Sequence, residues 1–177
     1  LPLVAGGLIF LQQSRNVDFF DRKDESTRYR QMMTRDGLRL WTESPRHFVF
    51  GVGMESVQRH WREWGLHDKG WQPMGHFHST PVQLLAERGL PALLLWLGIL
   101  AIYARTIWRG LNEQNSDWRS RGILLGCIGA AVGFVLSGMV HYNLGDQEVA
   151  MVFFLLMGLG LRVTPFLPEK EQAFPGT

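Results

Sequence analysis

Two histidines in the hydrophilic part of the chain have side-chain chemistry suited to a transfer reaction. His76 and His78 bracket one phenylalanine in GHFHSTP. A neutral histidine near pH 7 can take a proton from an attacking hydroxyl, so either ring could be a general base. They could equally be ordinary loop histidines, or metal ligands completed by His141, Asp146 and Glu148. Neither HExxH nor paired CxxC spacing is present, and sequence spacing by itself does not choose among these interpretations.

A group of arginines upstream is the second chemical feature. At about 100° per residue in a helix, Arg28, Arg35 and Arg39 fall within about 40° of one another. Arg30 lies almost opposite this stripe, so it contributes only if the helix is distorted or shorter. One interpretation is a solvated helix face paired with acids. The other is an anion site, because the planar guanidinium suits phosphate oxygens.

These arginines require a helix, and the flanking residues predict one. Residues 24 to 26 (DES) supply capping and first-turn acids, and Ser44-Pro45 is a stop signal. The predicted helix also has an apolar face, formed by Tyr29, Met33 and Leu40. Further on, VFGVGME predicts a short extended run and a glycine-rich turn. Residues 58 to 74 predict a short amphipathic helix and a loop, with tryptophans on a membrane interface or a groove lid.

The apolar residues are concentrated in three uncharged runs, at 89 to 104, 122 to 140 and 149 to 161. A membrane-spanning helix needs roughly 20 mainly apolar residues. The middle run qualifies alone, and the first does so if the helix begins near Pro81 or if Arg105 and its neighbours snorkel. The third run reaches this length only if flanking residues are included in the helix. The pattern therefore favours a membrane protein over a soluble domain.

The charges of the connecting segments predict the topology. Residues 105 to 121 hold four arginines against two acids, and short basic loops stay cytoplasmic. That places residues 12 to 88 and the joint 141 to 147 on the opposite face, and returns the tail, 164 to 177, to the cytoplasm. We interpret residues 1 to 11 as the end of a transmembrane helix of a longer protein.

The predicted fold class follows from these assignments. It is an all-α membrane protein, a multi-spanning helix bundle with a large, mainly helical loop at residues 12 to 88. Residues 89 to 163 form the C-terminal bundle. Cys127 is the single cysteine and sits in an apolar run, which excludes a disulfide framework within the chain and favours a packing role.

Four segments of the chain resemble bacterial O-antigen ligases. His78-Ser79, nine residues and then GLPA, from Gly89, is similar to the family's histidine signature, although Ala92 stands where the family usually has Gly, Thr or Tyr. STRYRQM resembles the opening of the family's loop helix, and FVFGVGMES resembles its hydrophobic-Gly-x-Gly turn. HYNLGDQEVAMVFFLLMGL is similar to its aromatic-Tyr-Asn-x-Gly-Asp-x-Glu segment, and the four occur in the family's order.

The resemblance implies a glycosyltransferase of the O-antigen ligase and polymerase superfamily. Such enzymes sit in the bacterial inner membrane, with the chemistry on a periplasmic loop, and the ligases require no metal; the resemblance implies no cofactor and no nucleic-acid partner. The donor would be a glycan on undecaprenyl diphosphate among the membrane lipids, and the acceptor most simply lipid A core. The implied site residues are the base His78, the diphosphate ligands Arg28, Arg30 and Arg35, and the substrate-orienting residues His76, Asn143 and Asp146.

Other functions stay open at this point. Within the superfamily, an O-antigen polymerase or a protein-targeting oligosaccharyltransferase would use the same chemistry. The His-Ser motif and residues 141 to 148 favour a ligase. A transporter would place ionisable residues inside its spanning helices, and the three apolar runs contain none. A structural membrane subunit would explain the helices but not the arginines and His78.

Overall fold

The computed structural model describes residues 25 to 70, 75 to 112 and 117 to 164. The regular elements in these ranges are all helices, which confirms the all-α prediction for this part of the chain. The proposed helix end at residues 1 to 11 and the tail beyond residue 164 lie outside the described residues, as do residues 12 to 24 of the loop. The helices are α1 (Glu25–Thr42), α2 (Pro45–Phe50), α3 (Ser56–His60), α4 (Leu66–Gly70), α5 (Thr80–Asn112), α6 (Trp118–Gly138) and α7 (Gln147–Val163).

The long helix α1 has the predicted C-terminal end and the predicted apolar face. It ends at Thr42, just before Ser44-Pro45. Met33 and Leu40 are buried, and Tyr29 packs against them at the edge. They belong to a loop core that joins α1 to the first turns of α5, formed by Met33, Leu40, Val57, Leu66, Phe77, Val82 and Ala86.

The extended run predicted before the glycine turn is wrong, because HFVF belongs to the helix α2. Ser44 caps it, its Oγ accepting a hydrogen bond from the backbone N–H of His47 at 3.1 Å. Pro45 occupies the first turn, where its missing N–H costs nothing. The aromatic and β-branched residues suggested a strand, but the capping serine and proline determine the local structure.

Two tryptophans of the segment after the turn lie in the loop core rather than on a separate lid. Trp61 and Trp64 pack against the buried cluster around Leu66. The segment forms two short helices, α3 and α4, joined by turns, instead of a single amphipathic helix. Trp71 lies outside the described residues. The tryptophan pattern therefore reflects packing inside the loop.

Helix α5 is broken at Gly89, which has the non-helical angles φ 76° and ψ −179°. In a continuous helix, the N–H groups of residues 90 and 91 would bond the carbonyls of Ala86 and Glu87. The break removes the first donor, and Pro91 has no N–H to offer. The turn after α2 replaces both, because Val52 N–H donates to Ala86 O and Gly53 N–H to Glu87 O, each at 2.9 Å.

Two glycines allow the backbones of α2 and α5 to approach closely at this junction, which we call the glycine contact (Gly51 and Gly89). A Cβ on Gly89 would overlap the carbonyl group of Val49, and one on Gly51 would overlap the peptide between Glu87 and Arg88. Gly51 has φ 69° and ψ −171°, the same region as Gly89 and one populated essentially by glycine. The glycine turn and the glycine of the histidine signature, which belong to two of the four segments that carry the resemblance, are therefore parts of one structural unit.

Two of the described helices, α5 and α6, are long and apolar enough to cross a membrane. Most of their apolar side chains face outward, as in Leu95, Ile102, Leu125 and Leu136. Helix α7 is apolar but has 17 residues, at the short end of the spanning range. It packs on α6 through the stacked rings of Phe134 and Phe153, whose centroids are 3.9 Å apart.

The register of α5 against α6 defines the end of the bundle. Tyr103 and Ile107 of α5 form a buried cluster with Leu124 and Cys127 of α6, so the two helices run antiparallel. Cys127 is a packing residue, as predicted, and its Sγ contacts Leu156 O at 3.3 Å. Continuing this register places Gly89 level with the residues just after α6.

The first part of α5, from Thr80 to the break, folds back across the same end. Thr80 Oγ1 donates to His141 O at 3.1 Å and accepts from Asn143 N–H at 3.1 Å. Thr80 also lies against Gly138, where a Cβ would be 3.3 Å from its Oγ1. Both ends of this segment therefore lie at the end of the bundle where α6 stops and residues 141 to 147 begin.

Candidate functional site

A cavity of about 610 Å³ lies between α1, the histidine segment and the end of α6. Its polar lining comes mainly from one face of α1 and from His78, and its apolar lining from α1 and the residues after α6. The lining residues are Arg30, Gln31, Thr34, Arg35, Leu38, His78, Met139 and Val140. The cavity lining therefore combines cationic and hydrogen-bonding side chains with apolar ones.

The contacts of the neighbouring Phe77 hold His78 at the cavity. The preceding Phe77 is buried in the loop core, and its backbone N–H donates to Gln83 Oε1 at 2.8 Å. Helix α1 passes so close that a Cβ on Gly37 would be 3.3 Å from the Phe77 ring. His78 has a φ of 46°, which is uncommon for a residue with a side chain. The anchoring of Phe77 thus fixes the turn that presents His78.

Of the three arginines predicted to bind diphosphate, two line the cavity. Arg30 and Arg35 do so from successive turns of α1, whereas Arg28 is exposed on the same helix and is absent from the described lining. The sequence argument that Arg30 needs a distorted helix is wrong, because the cavity covers a broad arc of a regular α1, including Gln31 and Thr34 between the two arginines. Arg39, the third member of the stripe, donates instead to Trp64 O at 3.3 Å.

The two histidines of GHFHSTP meet a third histidine from the joint after α6. The ring centroids of His76 and His78 are 4.2 Å apart, and that of His141 is 5.8 Å from His76 and 5.9 Å from His78. His76 Nδ1 accepts a hydrogen bond from the backbone N–H of His78 at 3.2 Å. The joint at residues 141 to 147 and the histidine segment therefore lie side by side.

The surroundings of His76 and His78 favour the uncharged form of both rings. Burial lowers the pKa of His78 below its ordinary value, and His141 and the cationic Arg30 lower it further. Burial, with the neighbouring His78 and His141, lowers the pKa of His76 to about 4. Near pH 7 both rings are neutral, which is the form that can accept a proton.

The other two substrate-orienting candidates have structural contacts. Asn143 is buried, and its side-chain amide donates to Phe134 O at 2.8 Å and to Ser137 Oγ. Asp146 caps α7 by accepting from Val149 N–H, and its other oxygen lies 4.0 Å from His141 Nε2. Asn143 thus ties α6 to the histidine side of the bundle, while Asp146 stays beside the histidine cluster.

Sequence reasoning missed His67, a fully buried histidine of α4. Neither of its ring nitrogens has a hydrogen-bond partner among the described residues, and its ring lies against Tyr29 and Phe77. Burial lowers its pKa, partly opposed by Asp36, which accepts its backbone N–H at 2.8 Å. No spacing signal marks it, because it depends on how α4 folds onto α1.

The rest of the cavity lining was also missed, although the sequence carries a signal for its α1 residues. Gln31, Thr34 and Leu38 follow one another at spacings of three and four, which is the spacing of one helix face. Met139 and Val140 come from a distant segment and carry no such signal. Arg88, which donates to the hydroxyl of Tyr142 at 3.2 Å, was likewise not identified.

A metal interpretation gains no support within the ranges 25 to 70, 75 to 112 and 117 to 164. No group of three or more His, Cys, Asp or Glu side chains there has the arrangement to hold a metal ion. The chemistry at the cavity consists of two permanent cations, a neutral imidazole and apolar side chains.

Comparison of the chain with protein-family models, curated proteins and solved structures finds no match.

Proposed function

We propose that the protein is a membrane glycosyltransferase, which moves a glycan from a polyprenyl diphosphate to an acceptor hydroxyl. The observation that carries the proposal is the cavity in which Arg30, Arg35 and His78 meet. Its two arginines suit a diphosphate, and its neutral imidazole suits removal of a proton from an acceptor. The resemblance to O-antigen ligases agrees with this chemistry.

In the proposed reaction, the acceptor oxygen attacks the anomeric carbon while the bond from that carbon to the diphosphate oxygen breaks. His78 takes the hydroxyl proton, and the polyprenyl diphosphate leaves with the bonding electrons. Arg30 and Arg35 stabilise the negative charge that develops on the leaving oxygen. Attack opposite the leaving group inverts the anomeric configuration, and no metal has a part in these steps.

The apolar residues of the cavity lining support the proposal that the donor is lipid-linked. Leu38, Met139 and Val140 are exposed apolar residues that line the cavity beside its cationic part. An amphiphile with a charged head and an isoprenoid tail matches this division. The end of α6, where Met139 and Val140 lie, is where we propose that the tail enters the membrane.

We propose the bacterial inner membrane as the location, with α5 and α6 as spans and α7 as a third. The basic segment from 105 to 121 would be cytoplasmic, and the described part of the loop, 25 to 70 and 75 to 88, periplasmic. His78 would then act at the periplasmic surface. Asp146 and His76 would orient substrate groups beside it, as the resemblance implies.

Complementation of a ligase-null bacterium tests the function. The full-length protein is expressed in a ligase-null strain that makes O-antigen on undecaprenyl diphosphate. Lipid A core from this strain is then examined for attached glycan. Transfer to lipid A core supports a ligase. Longer polymer on the carrier without transfer to core indicates a polymerase, and glycan on protein indicates an oligosaccharyltransferase. No product in any of the three contradicts the proposal.

Removing either cavity arginine is expected to slow transfer by roughly 10- to 100-fold, because a charge-assisted hydrogen bond to phosphate contributes about 1.5–3 kcal/mol. The measurement compares Arg30→Ala and Arg35→Ala with wild type in membrane vesicles at equal protein abundance. Arg59→Ala is the matched control, since Arg59 is exposed and pairs with Glu55 at 2.8 Å. If Arg28→Ala abolishes transfer while both cavity variants retain it, the diphosphate site is not this cavity.

The acid side of the pH profile is expected to lie below pH 6.5, the ordinary pKa of histidine. The pKa of His78 is lowered, so the ring stays neutral to a lower pH than a free imidazole would. Transfer at pH 6.5 should therefore exceed half of its plateau rate, and it should fall as pH drops through the lowered pKa. The profile is measured as initial transfer rates in vesicles between about pH 4.5 and 8, because histidine pKa values in proteins fall in this range. A midpoint above pH 6.5 would contradict a neutral His78 as the base.

A further inference from the structure

Helix α2 and the turn after it present an apolar surface to the outside of the described structure. Phe50 is 72% exposed and Met54 67%, and the neighbouring Phe48 and Val49 are each about two-fifths exposed. We call these four residues the α2 patch. Large apolar side chains exposed together on a small element usually mark a surface that contacts another apolar phase.

The α2 patch is held rigidly. The ring of Trp41 stacks on that of Phe48 with centroids 4.6 Å apart, and Trp41 Nε1–H donates to Phe48 O at 3.0 Å. On the other side, the glycine contact joins the element directly to α5. The patch therefore has a fixed position relative to the bundle, unlike the tip of a free loop.

That position is the end of the apolar span. Arg88 is the last charged residue before the uncharged run of α5, and the backbone of Val49 lies against Gly89, the first residue of that run. Arg88 donates to the hydroxyl of Tyr142, which follows α6, so Gly89 lies near the end of α6. The patch thus lies beside the level at which the outward-facing leucines of α5 begin, including Leu94 and Leu95.

We propose that the α2 patch inserts into the boundary between headgroups and acyl chains of the bilayer, and so fixes the height of the cavity above it. The inference rests on the proposed membrane placement of α5 and α6. Apolar and aromatic side chains on a short interfacial element enter this zone by about 5–10 Å, with basic groups at the phosphates. The exposed Arg46, at the start of α2, is placed on the same element to contact those phosphates.

The test measures the depth of a spin label at two positions of the loop. Phe50→Cys carries the label on the patch, and Arg59→Cys carries it on α3, where the side chain is exposed and polar. Both are reconstituted into vesicles of phosphatidylethanolamine and phosphatidylglycerol, with the parent protein as the blank because Cys127 is buried. Collision rates with oxygen and with a water-soluble nickel chelate are then measured by electron paramagnetic resonance.

At position 50, the ratio of oxygen to chelate collisions should exceed that at position 59 several-fold, because apolar oxygen enters the acyl-chain region whereas the polar chelate stays in water. A label at 50 that meets the chelate as freely as the one at 59 overturns the proposal. So does a label shielded from both reagents, which would indicate a protein on the patch. The readout does not use glycan transfer, so a deep label in a protein that transfers no glycan keeps this inference and contradicts the proposed function.

Discussion

Replacing His78 with alanine is expected to lower the rate of glycan transfer by about two to four orders of magnitude, the usual contribution of a general base. The ring lines the cavity together with Arg30 and Arg35, and its surroundings keep it neutral. Alanine removes the proton acceptor and leaves the arginines in place. Donor binding should therefore persist while transfer is lost, which separates this variant from one that lacks an arginine.

The measurement is single-turnover transfer in membrane vesicles, with protein abundance checked by immunoblot. His60→Ala is the matched control, because His60 is a partly exposed loop histidine whose ring contacts Glu63 at 2.9 Å and lies outside the cavity lining. The control should transfer at the wild-type rate. Normal transfer by His78→Ala would make His78 an ordinary loop histidine, and the mechanism would then be wrong.

Replacing Gly89 with alanine is expected to destabilise the folded loop by at least about 3 kcal/mol, through two effects that add. The backbone of Gly89 lies in a region that only glycine adopts readily, with φ 76° and ψ −179°. The added Cβ would also overlap the carbonyl group of Val49, and backbone cannot move aside as a flexible side chain could. Relieving the overlap separates α2 from α5 and frees the carbonyls of Ala86 and Glu87.

Thermal unfolding in detergent, followed by limited trypsin digestion of the loop, measures this loss. The matched control is Gly98→Ala in the same helix, where a Cβ meets nothing within 4 Å. Alanine there should leave the midpoint unchanged or raise it slightly, because alanine favours helix over glycine. Equal unfolding midpoints for the two variants would show that the glycine contact does not stabilise the loop.

Features set by local pattern could be predicted from the sequence. The C-terminal end of α1 followed from Ser44-Pro45, and the burial of Met33 and Leu40 from their helical spacing. The apolar runs indicated α5 and α6, because composition alone determines which helices could span a membrane. The proximity of residues 141 to 147 to the histidines was expected from topology, since both segments were placed on one face.

Features set by distant contacts could not be predicted. The break in α5 depends on donors supplied by Val52 and Gly53, more than thirty residues earlier in the chain. Arg30 lines the cavity because the gap between α1 and the end of α6 is wide. A helical wheel describes α1 alone and carries no information on the width of that gap. The resemblance pointed to both glycines as motif positions but gave no reason for them. The structure supplies the reason, because each glycine lies against the backbone of the segment that holds the other.

The glycine contact also has a consequence for the order in which the protein assembles during synthesis. Gly51 leaves the ribosome well before Gly89, and His78 is made between them. The turn at Val52 and Gly53 has no carbonyl partners until Ala86 and Glu87 exist and the helix breaks after them. Closing this long loop carries an entropic cost that is repaid only when both ends are present. A nascent chain that ends before Gly89 therefore lacks the glycine contact, and the cavity around His78 is complete only after Met139 and Val140 have also been made.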